Sequence, residues 1–227
     1  MSPPPARWPL FNISLRQGDV RLRVANEGDL EELAASLPDD AERDPSSSML
    51  TGLDLDGNRR RLVLQGYWSR WATWSPESWD LLFVVAHRGR LAGVQSLQAS
   101  GFPALRTVDS GSWLVPGARG VGTGKVMRAA VLALAFEHLA AEAAISSARS
   151  DNDASLGVSR SLGYEANGVS VTASPTGPCV LSHVRLTAVQ WRAGKWADRT
   201  EVRGLEGCEP YFALDRFGVR EASGKSS

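Results

Sequence analysis

Cysteine is nearly absent. Cys179 and Cys208 are the only two, too few for a disulfide scaffold and without the paired spacing of a zinc site. Sparse thiols of this kind fit a reducing cytosol, and a pairing between these two stays open. Histidine is scarce too: His87, His138 and His183 lie far apart, none with a recognisable partner, so no metal is expected. Charge of either sign is not in excess, because 25 Lys and Arg balance 25 Asp and Glu. No global field therefore draws the chain to nucleic acid or to an anionic membrane. Long apolar runs are missing as well, the longest being interrupted by Glu137, His138 and Glu142. Met1 to Pro9 is proline-rich and lacks the apolar segment of a secretory signal. These absences predict a soluble cytoplasmic protein with no nucleic-acid, membrane or metal partner, and homodimerisation is an open alternative.

What is present is a sizeable apolar fraction, 43% of 227 residues, enough for a substantial core. The alternation Val20, Leu22, Val24 predicts a half-buried strand, and Leu30, Leu33 and Ala34 a short helix. Residues 38–57 turn polar around Pro45 and three serines, which predicts a surface loop flanking a substrate entrance. Leu62, Tyr67, Trp68 and Trp71 recur at helical spacings. Leu81 to Ala86 and Leu91 to Leu97 form a predicted hairpin turned at residues 87–90, and Thr107 to Val115 is a further strand. Ala144 to Ala148, Val169 to Ala173 and Val180 to Leu186 are the later strands, and Thr187 caps a short helix through Trp191. The first 18 residues read as a surface arm anchored by Trp8, Leu10 and Phe11, and 187–227 as an extension that docks through Tyr211, Phe212 and Leu214. Disorder is expected at Met1 to Ala6, and a mobile tail at Ala222 to Ser227.

The chain is organised around Gly117-Ala118-Arg119-Gly120-Val121-Gly122-Thr123-Gly124-Lys125, between the stretch 111–115 and an alanine-rich helix apolar around most of its circumference. Alternate glycines at a helix start remove side chains and leave main-chain N–H groups facing one point. With the positive end of the helix dipole there, the expected ligand is a phosphate or pyrophosphate, and Lys125 and Arg128 add charge nearby. A Walker loop would need glycine at Arg119 and Ser or Thr at Val126; a dinucleotide fingerprint would need glycine at Lys125. Neither fits.

Arg-x-x-Gly-x-Gly, written by Arg119, Gly122 and Gly124, resembles the acetyl-coenzyme A loop of the GNAT superfamily of N-acetyltransferases. A second stretch, residues 150–155 followed by Leu162-Gly163-Tyr164, resembles that superfamily's later motif at the right distance. The resemblance covers about residues 21–186, closest to the branch of ribosomal-protein and small-molecule N-acetyltransferases. It implies an α/β (α+β) fold: a mixed, mostly antiparallel sheet with helices on both faces, whose central strands 107–115 and 144–148 are parallel and splay apart. The acetyltransferase domain is then 19–186. The crossover helix between the two central strands independently predicts their parallel pairing.

The resemblance also implies the chemistry, in which acetyl-CoA is the co-substrate and a primary amine of a small molecule, or a peptide or protein N-terminus, attacks the thioester directly. Leu114 and Val115 would offer main-chain bonds to pantetheine, and Arg119, Gly120, Val121, Gly122, Thr123, Gly124 and Lys125 would take the pyrophosphate. Asn152 matches the pantetheine-side Asn, with Ser155 one turn on; an N-cap without a ligand is the plainer reading, and the two roles are compatible. Many members place Tyr seven residues after that Asn to protonate the thiolate, but Ser159 stands here, a weaker donor. That departure raises the alternative of an acyl-CoA-binding regulatory domain with little activity. Asp109, on the strand leading to the coenzyme, is the candidate base, with a solvated strand-edge carboxylate as the equal alternative. Trp68, Trp71 and Trp113 are candidates for the acceptor side, against the simpler reading as core. Few basic residues accompany the aromatics, so an apolar or aromatic amine is expected over an acidic one.

Overall fold

The computed structural model describes residues 8–41, 48–174 and 177–214. The expectations for Met1 to Ala6, for Pro45 and for Ala222 to Ser227 lie outside them. The strands are β1 (Ser14–Gln17), β2 (Val20–Val24), β3 (Ser78–His87), β4 (Arg90–Ser100), β5 (Thr107–Asp109), β6 (Ser112–Leu114), β7 (Ala143–Arg149), β8 (Glu165–Ser174), β9 (Gly177–Thr187) and β10 (Glu201–Arg203). The helices are α1 (Leu30–Ser36), α2 (Leu55–Ala72), α3 (Phe102–Leu105), α4 (Thr123–Ala133), α5 (Asp153–Leu162) and α6 (Ala188–Ala193). One open sheet runs in the order β10-β1-β2-β3-β4-β5-β7-β9-β8, with β6 beside β4.

Alternation along the strands divides the core into two layers. Leu22, Leu81, Phe83, Val85 and Leu97 meet Met127, Ala130, Val131 and Leu134 of the α4 side, where helix and sheet are both apolar. On the other face Leu82, Val84 and Val94 receive Leu30, Leu33 and Tyr67 from α1 and α2. Helices thus cover both faces, and among the described residues none is long and apolar enough to cross a membrane.

The sheet is continuous except at its centre. β5 and β7 are parallel over Thr107↔Ala143, Val108↔Ala144 and Asp109↔Ile145, and there the pairing stops. β6 continues beside β4, while β7 continues beside β9 to Arg149, so the two central strands part above Asp109. The single strand expected over 107–115 is therefore two. The break at Ser110-Gly111 is held by side chains: Gln95, fully buried, donates Nε2 to the carbonyls of Ser96 (3.0 Å) and Gly111 (2.9 Å). Ser146 donates to the Ser110 carbonyl from the far side of the gap at 3.3 Å.

Two short strands were not legible in the sequence. β1 pairs with β2 and, on its outer edge, with β10, Leu15 facing Val202. Leu10, Ile13 and Leu15 are buried, so residues 8–17 are part of the core rather than a surface arm. In the C-terminal segment Phe212 and Leu214 are buried, and Trp74 Nε1 donates to the Tyr211 carbonyl at 3.3 Å. Cys179 and Cys208 are separate buried thiols, and burial pushes Cys208 up to about 12.

Candidate functional site

The glycine loop leaves β6 through a turn at Pro116–Ala118 and enters α4 with Gly120 at φ +75° and Gly122, the N-cap, at φ +91°. Both conformations suit glycine, and the space where a Cβ would project is empty at each. The N–H groups of Lys125 and Val126 return to the Gly122 carbonyl, whereas those of residues 120–124 have no acceptor among the described residues. A row of unpaired donors at a helix start is a cradle for an anion. Thr123 fixes it to the sheet, its hydroxyl 3.1 Å from Nδ1 of His87.

The strand before the loop is positioned by a close approach. Gly93 on β4 has φ +150°, and a Cβ there would lie 2.1 Å from the carbonyl oxygen of Trp113. Val115 donates its N–H to the Ala92 carbonyl at 2.9 Å, so it is not free for a ligand as expected. Leu114, at the alternate position, directs its N–H and C=O to the gap beside β7. Its carbonyl accepts from Arg119 Nε at 3.0 Å, and the rest of that guanidinium forks onto Asp40 at 2.6 and 2.8 Å. Arg119 holds Asp40 below the usual carboxylate range. The arginine expected on pyrophosphate thus ties the segment after α1 to the glycine loop.

Across the gap, Asn152 caps α5, its Oδ1 accepting from Ser155 N–H at 3.0 Å, which leaves the amide NH2 as its free donor. Ser159 is buried, donates to the Ser155 carbonyl at 3.2 Å and accepts from Arg128 Nη1 at 2.8 Å. Its proton is committed, so the thiolate-donor role does not fit. Arg128 is also not beside the loop as expected; it points inward from α4 and is 5% exposed. Burial pulls its pKa down, and no carboxylate forms an ion pair with it among the described residues. Tyr164, against Arg128 and Ser110, is pushed up to about 12, chiefly by burial.

Asp109 ends the paired part of β5, on the face opposite buried Val108. Burial raises its pKa, against opposing pulls from the Ser110 N–H at 2.6 Å, the Gln98 side chain, Arg128 and His183. A carboxylate whose pKa is raised by burial, standing where a sheet opens, is suited to accept a proton.

The model of the acetyltransferase (GNAT) domain matches residues 19–165, well over half of the chain. The chain belongs to the GNAT acetyltransferase family. Its fold is shared with solved structures of low identity. Mycobacterium smegmatis RimJ, in complex with CoA-disulfide, superposes with a TM-score of 0.62 at 19% identity, covering 85% of this chain and 98% of RimJ. A chimera of Vibrio cholerae spermidine N-acetyltransferase SpeG and hSSAT gives 0.61 at 14%, covering 78% and 100%. At such identity the likeness concerns the fold alone.

Within this GNAT domain the tryptophans do not form one cleft. Trp74 and Trp79 are stacked 6.1 Å apart against Phe212 and serve the core. Trp113 packs against the core layer that holds Leu82, Val84 and Val94. Trp68 and Trp71 line a different cavity, beyond β2. Gly93, Gln95 and Asp40 escaped the sequence reading, and only Gly93 carried a signal: an isolated glycine inside a strand marks a bulge or a close approach.

Proposed function

We propose that this chain moves an acetyl group from acetyl-CoA to a primary amine, either of a small molecule or of a peptide or protein N-terminus. The observation that carries this reading is the row of unpaired N–H donors at residues 120–124, set beside the gap between β6 and β7. When bound, acetyl-CoA supplies an acyl group activated as a thioester. The loop N–H groups and Lys125 suit its pyrophosphate, and Leu114 N–H and the Asn152 amide suit the amides of its pantetheine arm. Asp109 takes the proton from the attacking ammonium, and the amine then displaces the thiol without a covalent enzyme intermediate. Because the Ser159 proton is committed, the thiol leaves as thiolate or is protonated by water, which an ordinary thiol pKa near ~8.5 allows. The two free thiols favour a cytosolic setting.

Release of coenzyme A thiol over a panel of aromatic amines, polyamines, aminoglycosides and short peptides tests the reading. Turnover with any of them supports it. Calorimetric binding of acetyl-CoA without turnover on the whole panel would favour the coenzyme-binding regulatory alternative, to which Ser159 points. Absence of binding would remove both.

A further inference from the structure

Outside the coenzyme gap the molecule has a cavity of about 480 Å³ lined by Trp8, Phe11, Asn26, Glu27, Tyr67, Trp68 and Trp71. It lies past the end of β2, three strands from β6, or about 14 Å at ~4.8 Å per strand. Two of its walls, Trp8 and Phe11, fall outside the segment that matches the family model.

The lining rings pack on one another at different angles. Trp71 stands edge-on to Trp8, with centroids 6.3 Å apart at 85°, and to Tyr67, at 6.2 Å and 77°; Phe11 is tilted against it at 4.9 Å. Aromatic faces carry negative π-density. Glu27 adds a carboxylate, with Trp68 Nε1 its long contact at 3.4 Å. Burial raises the Tyr67 phenol, and the charges of Glu27 and Asp29 raise it further.

Three arginines of the surrounding elements are engaged elsewhere: Arg23 with Asp29, Arg60 with Glu31, and Arg70 with Asp80. Among the described residues no cation pairs with Glu27. The cavity therefore combines aromatic faces, one unneutralised carboxylate and room for a small molecule. We infer that it is a binding site for an organic ammonium bearing apolar substituents, separate from the site of acetyl transfer. The ammonium lies over the indole faces, where desolvation strengthens cation–π attraction, and Glu27 sets the sign of the charge that is accepted.

Choline and its uncharged carbon isostere, dimethylbutanol, have nearly the same shape and differ in charge. Titrated into the full chain and followed by tryptophan fluorescence, choline should bind saturably and at least about tenfold more tightly than the isostere, as expected for a desolvated cation–π site. Trp68→Ala removes a ring that is 50% exposed and no part of the core, and should weaken choline about tenfold. Glu27→Gln, also on the surface, should weaken it about threefold. Acetyl-CoA affinity, measured by calorimetry, should be unchanged in both variants. No saturable choline binding, equal affinity for the isostere, no loss in Trp68→Ala, or competition between choline and acetyl-CoA would each overturn the inference. These results do not depend on turnover, so the acetyl-transfer reading stands or falls separately.

Discussion

The glycine loop and the aromatic cavity are built in opposite ways. At the loop the ligand-facing groups are main-chain N–H donors, and the sequence contributes by omitting side chains at Gly120 and Gly122. At the cavity the ligand-facing groups are side chains drawn from three separated segments, residues 8–11, 26–27 and 67–71. A site made from backbone is written locally as spacing. One made from side chains exists only after the sheet has brought distant segments together.

The contrast predicts where substitutions hurt. The largest effect belongs to Gly93→Ala, whose methyl meets a main-chain carbonyl that cannot retreat without moving β6. We expect a loss of about 3 kcal/mol or more in chemical denaturation, with coenzyme binding lost alongside. Wild-type stability would show that β6 is not held by this approach.

Asp109→Asn should lower kcat about a hundredfold or more while acetyl-CoA affinity changes little, and the acidic limb of the pH–rate profile should disappear. Burial raises this carboxyl, so its folded form favours the proton and its stabilising contribution is lost as pH rises through the folded pKa. Asp109→Asn should therefore melt higher than wild type at pH 7. The gain should shrink toward pH 4, where the unfolded chain holds the proton too, near its ordinary pKa of about 3.9. Equal loss of rate and affinity would mark a structural role.

Gly122→Val should leave the chain folded, because nothing lies within 4 Å of the added Cβ, while the φ of +91° distorts the cradle. A loss of about thirtyfold in acetyl-CoA affinity by calorimetry is expected, and unchanged affinity would remove the loop from the site. Asp40→Ala tests whether Arg119 is shared between protein and coenzyme. Freed from its fork, the guanidinium should tighten binding about threefold at low salt, with the gain fading as salt is added. Weaker binding would mean that Asp40 orients Arg119 rather than competing for it.

Smallest in rate is Ser159→Ala. Turnover should fall less than about twofold, since water can protonate a thiolate. Stability should drop by about 1 kcal/mol, because Arg128 Nη1 loses its buried acceptor. A large rate loss would restore Ser159 as a donor.

The sheet and crossover helix were legible because each has its own apolar period, and the gap followed from the resemblance. Strand β10 was not, since Glu201, Val202 and Arg203 carry no period that three residues could establish, and β1 was masked by the prolines before it. A cap at Asp151 or Asn152 was legible because that role is local, and the structure gives it to Asn152. Arg128 was misplaced: its formal charge suggested the surface, and only the packing of α4 on α5 shows it turned toward Ser159. Trp68 and Trp71, candidates for the acceptor side, line a cavity with Trp8 and Phe11, which stand in what reads in the sequence as an arm.

The seam between β1 and β10 joins residues 14–16 to residues 201–203, contacts separated by most of the chain. Such a closure has no local nucleus, and its loop entropy is recovered only after the intervening sheet exists. It is the natural last step of assembly and the first ladder to open. Amide protons of Glu201 and Arg203 should exchange with solvent well ahead of those in β3 and β4, and mutations at the seam should speed unfolding while leaving the refolding rate unchanged.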